Sequence, residues 1–124
     1  MQQPKEFHLL KDSLLCILDD DVLILDLWKF FLKNSPLKVR YFTTPQEFID
    51  FANAPKEQSI FLFTDYDLKN TLNGLDVVEK LNLKKSSWVI TGQADDYRIL
   101  MRAKELGVPV LAKDEIWEVK FFID

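Results

Sequence analysis

Short apolar runs alternate along the chain with segments in which apolar residues recur every three or four positions. The runs are typical of parallel strands buried on both faces, and the spaced segments are typical of helices packed against a sheet. Strands are predicted over residues 14–18, 39–42, 60–63, 88–91 and 108–112. Their alternation with helices predicts an α/β fold in which a parallel sheet lies between helices.

Helices are predicted between these strands from apolar spacing and from local end signals. Thr44, Pro45 and Glu47 form a capping box with proline at the first helical position, and Gly107 suits a left-handed helix end. The predicted helices cover residues 22–33, 44–53, 75–81 and 95–106. The chain is expected to finish with a short helical stretch over residues 115–122.

The size of the chain predicts one domain with a single core. It has 124 residues, of which 48% are hydrophobic, and we divide it into an N-terminal leader, 1–12, and a domain, 13–124. Without a long apolar run or a signal-peptide pattern, we expect a cytoplasmic protein that does not bind membranes. The net charge of −4 does not predict a nucleic-acid-binding surface. The single cysteine, Cys16, is expected to be a buried apolar residue.

The negative charge is concentrated at two strand ends. Asp19, Asp20 and Asp21 follow the first predicted strand, and Asp65 and Asp67 follow the third. Without these five acids, 16 basic residues would face 15 acidic ones. Alone, an aspartate run is more often a solvated helix start than a metal site.

Thr91 and Lys113 follow the fourth and fifth predicted strands, and they change that interpretation. Ligands of open parallel sheets bind beyond the C-terminal strand ends. We therefore expect five residues to converge there: Asp19, Asp20, Asp65, Thr91 and Lys113. Clustered carboxylates repel one another unless a cation is present, and an all-oxygen set without His or Cys favours Mg²⁺ over zinc. A carboxylate can also accept a phosphoryl group, with Lys113 and Thr91 contacting its oxygens.

This ordered set resembles the response-regulator receiver domains of two-component signal transduction. The similarity extends from about residue 14 to residue 122, and three local strings support it: 17–21, 64–75 and 106–113. It implies a single-domain, flavodoxin-like, doubly wound (βα)5 fold with predicted strand order 2-1-3-4-5.

The resemblance also implies a role for each residue. Asp65 would be the phosphoacceptor, Asp20 a direct Mg²⁺ ligand, Asp19 a ligand largely through water and Asp67 a ligand through its main-chain carbonyl. Thr91 and Lys113 would contact the phosphoryl group.

The same resemblance implies partners and an output surface. A sensor histidine kinase or a histidine phosphotransfer protein would supply the phosphoryl group. Phosphorylation would switch a surface made of the fourth helix, fifth strand and fifth helix, which is also the expected face of a homodimer. The domain would be a signalling module and not an enzyme with a separate substrate.

Three positions depart from the family pattern. Asp114 follows Lys113 where the family usually has proline, Val110 stands where an aromatic ring is common, and Lys69 replaces a frequent proline. Two other functions therefore stay open. One is a phosphohydrolase of the haloacid-dehalogenase type, suggested by Asp65 and Asp67, and the other is a receiver-like interaction module that works without phosphate.

Overall fold

The protein is built on a five-stranded parallel sheet, preceded by one extra N-terminal strand, β1 (Lys5–Leu9). The structure, a computed structural model, describes residues 5–123. The sheet strands are β2 (Leu14–Leu18), β3 (Lys38–Phe42), β4 (Ile60–Asp65), β5 (Ser87–Thr91) and β6 (Val110–Ala112). They lie in the order β3-β2-β4-β5-β6. This is the predicted order once β1 is counted, so the α/β fold and its topology are confirmed.

Within residues 5–123, four α-helices cover the sheet. They are α1 (Val22–Leu32), α2 (Pro45–Asn53), α3 (Gly74–Lys80) and α4 (Tyr97–Leu106). The N-cap half of the predicted capping box is confirmed, since the Glu47 N–H donates a 3.2 Å hydrogen bond to the Thr44 hydroxyl. That hydroxyl in turn donates a 3.1 Å bond to the Glu47 carboxylate. Gly107 ends α4 with φ 73°. No helix within residues 5–123 is long and apolar enough to cross a membrane.

The core has two layers, one on each face of the sheet. Neighbouring residues of β2 divide between them, since Cys16 packs in one layer and Ile17 in the other. Helices α2, α3 and α4 contribute to the layer with Cys16, whereas α1 contributes Trp28 to the layer with Ile17. Cys16 is fully buried, as expected, and burial raises the pKa of its thiol to about 12.

The C-terminal segment is a strand where a helix was predicted. A 3₁₀ helix (Lys113–Glu118) follows β6 directly, and the last strand, β7 (Val119–Ile123), pairs in parallel with β1. The helical stretch expected over residues 115–122 is therefore present only as far as Glu118, as a 3₁₀ helix, and the prediction is wrong from Val119 onward. Valine, phenylalanine and isoleucine favour extended backbone, and β1 supplies the hydrogen-bonding partner that the sequence prediction lacked.

The β1–β7 pair, which we call the terminal ribbon, covers the sheet next to α1. Phe7 is 6% exposed, and its ring centroid lies 4.7 Å from that of Phe63 and 5.4 Å from that of Trp88. Residues 5–9, which the sequence assigns to a leader, thus contribute buried side chains to the domain; residues 1–4 lie outside the described residues. Because residues 5–123 contain no fifth α-helix, the predicted output surface lacks that element, and β7 stands at the corresponding place in the sequence.

Candidate functional site

Three carboxylates meet at the C-terminal edge of the sheet. Parallel pairing places Leu18 of β2 opposite Thr64 of β4, so the residues that follow, Asp19 and Asp65, lie side by side. Asp19, Asp20 and Asp65 each offer a carboxylate oxygen within 4.8 Å of the other two. Asp19 is 2% and Asp65 4% exposed, which is unusual for aspartate and requires compensation by a positive charge or a metal.

Lys113 is the cation of this site. Strand pairing sets Thr91 of β5 opposite Ala112 of β6, and Lys113 follows immediately. Its Nζ lies 3.2 Å from Oδ2 of Asp65 and 3.9 Å from Oδ2 of Asp19. The lysine therefore bridges the two most buried carboxylates, as the sequence predicted it would approach them.

Thr91 ends the neighbouring strand, and its side chain is buried. Its hydroxyl oxygen accepts a 2.9 Å hydrogen bond from the backbone N–H of Gln93. A hydroxyl accepts and donates at the same time, so this bond fixes the oxygen while the proton remains able to bond a ligand.

The electrostatics of the site reflect burial first and charge second. Burial raises the pKa of Asp19 to about 7, and the neighbouring Asp65 adds to the shift. Burial also raises the pKa of Asp65, against the opposing effect of Lys113. Burial alone would lower the pKa of Lys113, but Asp65 and Asp19 outweigh it and raise it. A further cation would stabilise the ionised form of both carboxylates.

The donor set fits a hard divalent metal ion. All three side chains offer oxygen, and an octahedral Mg²⁺ with bonds of about 2.1 Å needs oxygens about 3 to 4 Å apart. The observed limit of 4.8 Å requires only small side-chain rotations to reach that spacing. Asp19, Asp20 and Asp65 can therefore hold a divalent cation.

Asp67 lies outside the carboxylate cluster. Its side chain is exposed and accepts a 3.1 Å hydrogen bond from the backbone N–H of Lys69. The predicted ligand is its main-chain carbonyl, and that role stays a prediction. Lys69 adopts φ 49°, a conformation that proline cannot reach, which explains in physical terms why proline is absent there.

The third aspartate of the first acidic run has a structural role. Asp21 caps α1, since its Oδ1 accepts a 3.0 Å bond from the backbone N–H of Leu23. Its own N–H donates a 2.8 Å bond to Oδ1 of Asp19. The cap thus orients a site carboxylate, and the signal for it was the position of Asp21 directly before the helical pattern.

A close approach of α3 to the end of β4 was not predicted. A Cβ on Gly74 would lie 2.3 Å from the main-chain oxygen of Asp65 and 3.1 Å from Cγ2 of Thr64. The Gly74 N–H also donates a 2.8 Å bond to the carbonyl of Tyr66. Only glycine permits this contact, which fixes the backbone on both sides of the Asp65–Tyr66 peptide.

Comparison with known proteins identifies the fold. No protein family model matches the sequence, and no curated protein matches it. Solved structures do match. A signal receiver domain of an HD domain-containing protein from Pseudomonas fluorescens Pf-5 has a TM-score of 0.71 at 13% identity, with 84% of each chain covered. The chain has the fold of a response-regulator receiver domain.

Further receiver structures agree with this assignment. A CheY-like receiver domain protein from Methanospirillum hungatei JF-1 has a TM-score of 0.68 at 22% identity, covering 82% of this chain and 81% of that one. A response regulator from Burkholderia pseudomallei, with a phosphorylated aspartic acid and a calcium ion, has a TM-score of 0.69 at 25% identity. That match covers 82% of this chain and 60% of the Burkholderia chain. The resemblance to receiver domains is therefore confirmed for the fold, and receiver domains are signalling modules.

Proposed function

We propose that this receiver fold accepts a phosphoryl group on Asp65 in the presence of Mg²⁺, as one step of two-component signalling in the cytoplasm. The observation that carries the proposal is the position of the Asp65 carboxylate. It is buried at the end of β4, shares a cluster with Asp19 and Asp20, and lies 3.2 Å from Nζ of Lys113. Nucleophile, metal ligands and phosphate partner are thus side by side.

Each site residue has a distinct role in this proposal. Asp20 and Asp65 bind Mg²⁺ directly, Asp19 binds it through water, and Asp67 contributes its main-chain carbonyl. The metal, when bound, neutralises charge on the phosphoryl oxygens. Lys113 pairs with one of these oxygens, and the Thr91 hydroxyl donates a hydrogen bond to another.

The transfer exchanges one bond to phosphorus for another. A carboxylate oxygen of Asp65 forms an O–P bond while the N–P bond of a phosphohistidine breaks, and the leaving imidazole keeps the electron pair. Lys113 exchanges its contact with the Asp65 carboxylate for one with the incoming phosphoryl group. Hydrolysis of the aspartyl phosphate later restores the carboxylate and releases phosphate.

The exposed face of α1 fits the donor of that phosphoryl group. Leu23, Leu27 and Phe30 are 72%, 50% and 69% exposed, and their spacing aligns them on one side of the helix. The stripe starts three residues after Asp20 of the carboxylate cluster, so a partner bound to it would lie next to Asp65. An exposed apolar stripe of this kind can bind the apolar face of a partner helix, and we propose a histidine kinase or phosphotransfer protein as that partner.

A route from Asp65 to α4 supports an output role for that helix. Asp76, in the first turn of α3, accepts a 2.7 Å hydrogen bond from Nη2 of Arg102 on α4. The same turn begins at Gly74, in contact with the Asp65 backbone. We therefore propose that phosphorylation is transmitted to α4 and β6, which would also form the face of any homodimer.

The two alternatives are less well supported. A phosphohydrolase would need Asp67 as a second acid beside Asp65, but the Asp67 carboxylate is exposed and bonded to the Lys69 backbone. A module that ignores phosphate would have no use for three clustered carboxylates facing one lysine. A turnover assay with phosphomonoesters distinguishes the first alternative from the receiver role.

A titration with Mg²⁺ and then beryllofluoride, a mimic of the aspartyl phosphoryl group, tests the proposal. Trp88 stacks on Phe63 with ring centroids 5.7 Å apart, so its fluorescence reports on the strand that ends in Asp65. We expect Mg²⁺-dependent binding and amide NMR shifts at Asp65, Thr91 and Lys113 that extend into α4. Equal shifts in the Asp65→Asn variant, or no binding by the unmodified chain, would contradict the proposal.

A further inference from the structure

The turn that follows Lys113 contains Asp114 where receiver domains usually have a proline. All peptide bonds within residues 5–123 are trans, and Asp114 is exposed. Lys113 is the first residue of the 3₁₀ helix (Lys113–Glu118), so its backbone direction depends on how that helix begins. Another group must therefore fix this start.

Glu115 fixes it through both of its carboxylate oxygens. Oε1 accepts a 3.2 Å hydrogen bond from the backbone N–H of Ala112, the residue before Lys113. Oε2 lies 2.5 Å from Nζ of Lys5, in an ion pair whose side chains are each 20% exposed. Consistent with this contact, the pKa of Glu115 is lowered and that of Lys5 is raised by their mutual hydrogen bond.

Lys5 is itself held by the terminal ribbon. It is the first residue of β1 and lies opposite Val119 of β7 in the parallel pairing. Two residues later, Phe7 inserts into the aromatic layer under the ribbon, with its ring against Phe63 and Trp88. The ammonium group of Lys5 thus contacts Glu115 of the 3₁₀ helix from a strand whose position is fixed by packing.

We propose that Lys5 and Glu115 are positioning residues that hold Lys113 against Asp65. The start of the domain, more than 100 residues away in sequence, then determines the geometry at its phosphoacceptor site. This inference rests on the function proposed above. It gives the N-terminal strand a role in the chemistry and explains how the chain dispenses with a proline after Lys113.

The test compares Lys5→Met with Lys5→Arg in the full chain. We measure the rate at which acetyl phosphate labels Asp65, the melting temperature and the side-chain NMR signal of Lys113. Lys5→Met should label about three- to tenfold more slowly, because small displacements of a reacting group reduce rates steeply. It should also shift the Lys113 signal, and Lys5→Arg should restore both. Lys38→Met, which removes the exposed ion pair of Lys38 with Asp12, is the matched control and should change neither.

Glu115→Gln provides a second variant in case Lys5→Met fails to fold. Glutamine keeps an acceptor for the Ala112 N–H but loses the charge that attracts Lys5, so the same slowing is expected. Labelling at the unmodified rate in either variant, or a slowing that Lys5→Arg does not reverse, overturns the inference. If the unmodified chain is not labelled at all, the proposed function fails, and the Lys113 signal alone still decides whether Lys5 positions it.

Discussion

Nζ of Lys113 lies 3.2 Å from Oδ2 of Asp65, although 48 residues separate the two in the chain. The contact joins the ends of two strands that are not neighbours in the sheet, since β5 lies between β4 and β6. Lys113 therefore has to reach across the edge to the buried carboxylate. In this geometry the lysine compensates the charge of Asp65, and under the proposed function it would compensate the charge of the phosphoryl group after transfer.

Replacing Lys113 by methionine should separate metal binding from phosphoryl transfer. The variant keeps all three carboxylates and loses a competing cation, so we expect Mg²⁺ to bind at least as tightly as in the unmodified chain. Labelling by acetyl phosphate should fall by about tenfold or more, because one charge-assisted contact to the phosphoryl group is lost. Loss of Mg²⁺ affinity, measured by tryptophan fluorescence, would contradict the role given to this lysine.

Asp19 should make the metal-free protein less stable as the pH rises. Its pKa is raised from an ordinary 3.8 to about 7, so between these values the folded state holds a proton that the unfolded state has released. The free energy of unfolding therefore falls as pH increases through this range. In EDTA at pH 8, Asp19→Asn should gain about 1–3 kcal/mol in urea unfolding.

Adding Mg²⁺ provides a control for the prediction about Asp19. Mg²⁺ stabilises the ionised carboxylates, so it should raise the melting temperature of the unmodified chain at pH 8 and have a weaker effect on Asp19→Asn. The contrary result is a free energy of unfolding that stays constant or rises from pH 4 to 7 in the unmodified, metal-free chain. It would show that nearby positive charge already compensates the buried Asp19 carboxylate.

Gly74→Ala tests the contact between α3 and the end of β4. The new methyl group would lie 2.3 Å from the main-chain oxygen of Asp65, so α3 or the strand end must move. We expect a loss of about 1–3 kcal/mol in the free energy of unfolding, together with weaker Mg²⁺ binding. Gly92→Ala is the control, because its nearest neighbour would be Cδ of Lys113 at 3.9 Å. Equal stability of both variants would disprove the close approach.

Phe7→Ala tests whether the terminal ribbon belongs to the folded domain. Phe7 is 6% exposed and has four aromatic neighbours, so its removal should cost about 3–5 kcal/mol in unfolding experiments. Leu10→Ala, at a residue that is 62% exposed, should cost less than about 1 kcal/mol. A Phe7→Ala variant as stable as Leu10→Ala would mean that β1 does not pack as described.

The sheet and the cluster of site residues could be predicted because their signals are local. Most strands of the sheet contain a short apolar run, and the site residues stand at or just after the C-terminal ends of these runs. Parallel pairing then brings Asp19, Asp65 and Lys113 to one edge without further information. The helix ends at Thr44 and Gly107 were equally accessible, since capping depends on a few adjacent residues.

The terminal ribbon could not be predicted because it depends on a pairing between the two ends of the chain. Val119 and Phe121 suit a strand only if a partner is present, and that partner is β1, whose residues 5–9 lack a long apolar run. The ion pair of Lys5 with Glu115 follows from the same long-range pairing. The contact of Gly74 with Asp65 depends on where α3 docks, which no local pattern specifies.

The most direct test of the account is intact-mass and peptide analysis after incubation with acetyl phosphate and Mg²⁺. We compare the unmodified chain with Asp65→Asn and with Asp67→Asn, which keeps the main-chain carbonyl at position 67. The account predicts one added phosphoryl group on Asp65 in the unmodified chain and in Asp67→Asn, none in Asp65→Asn, and none when EDTA replaces Mg²⁺. Labelling that survives in Asp65→Asn, or no labelling of a folded, Mg²⁺-bound unmodified chain, would contradict it.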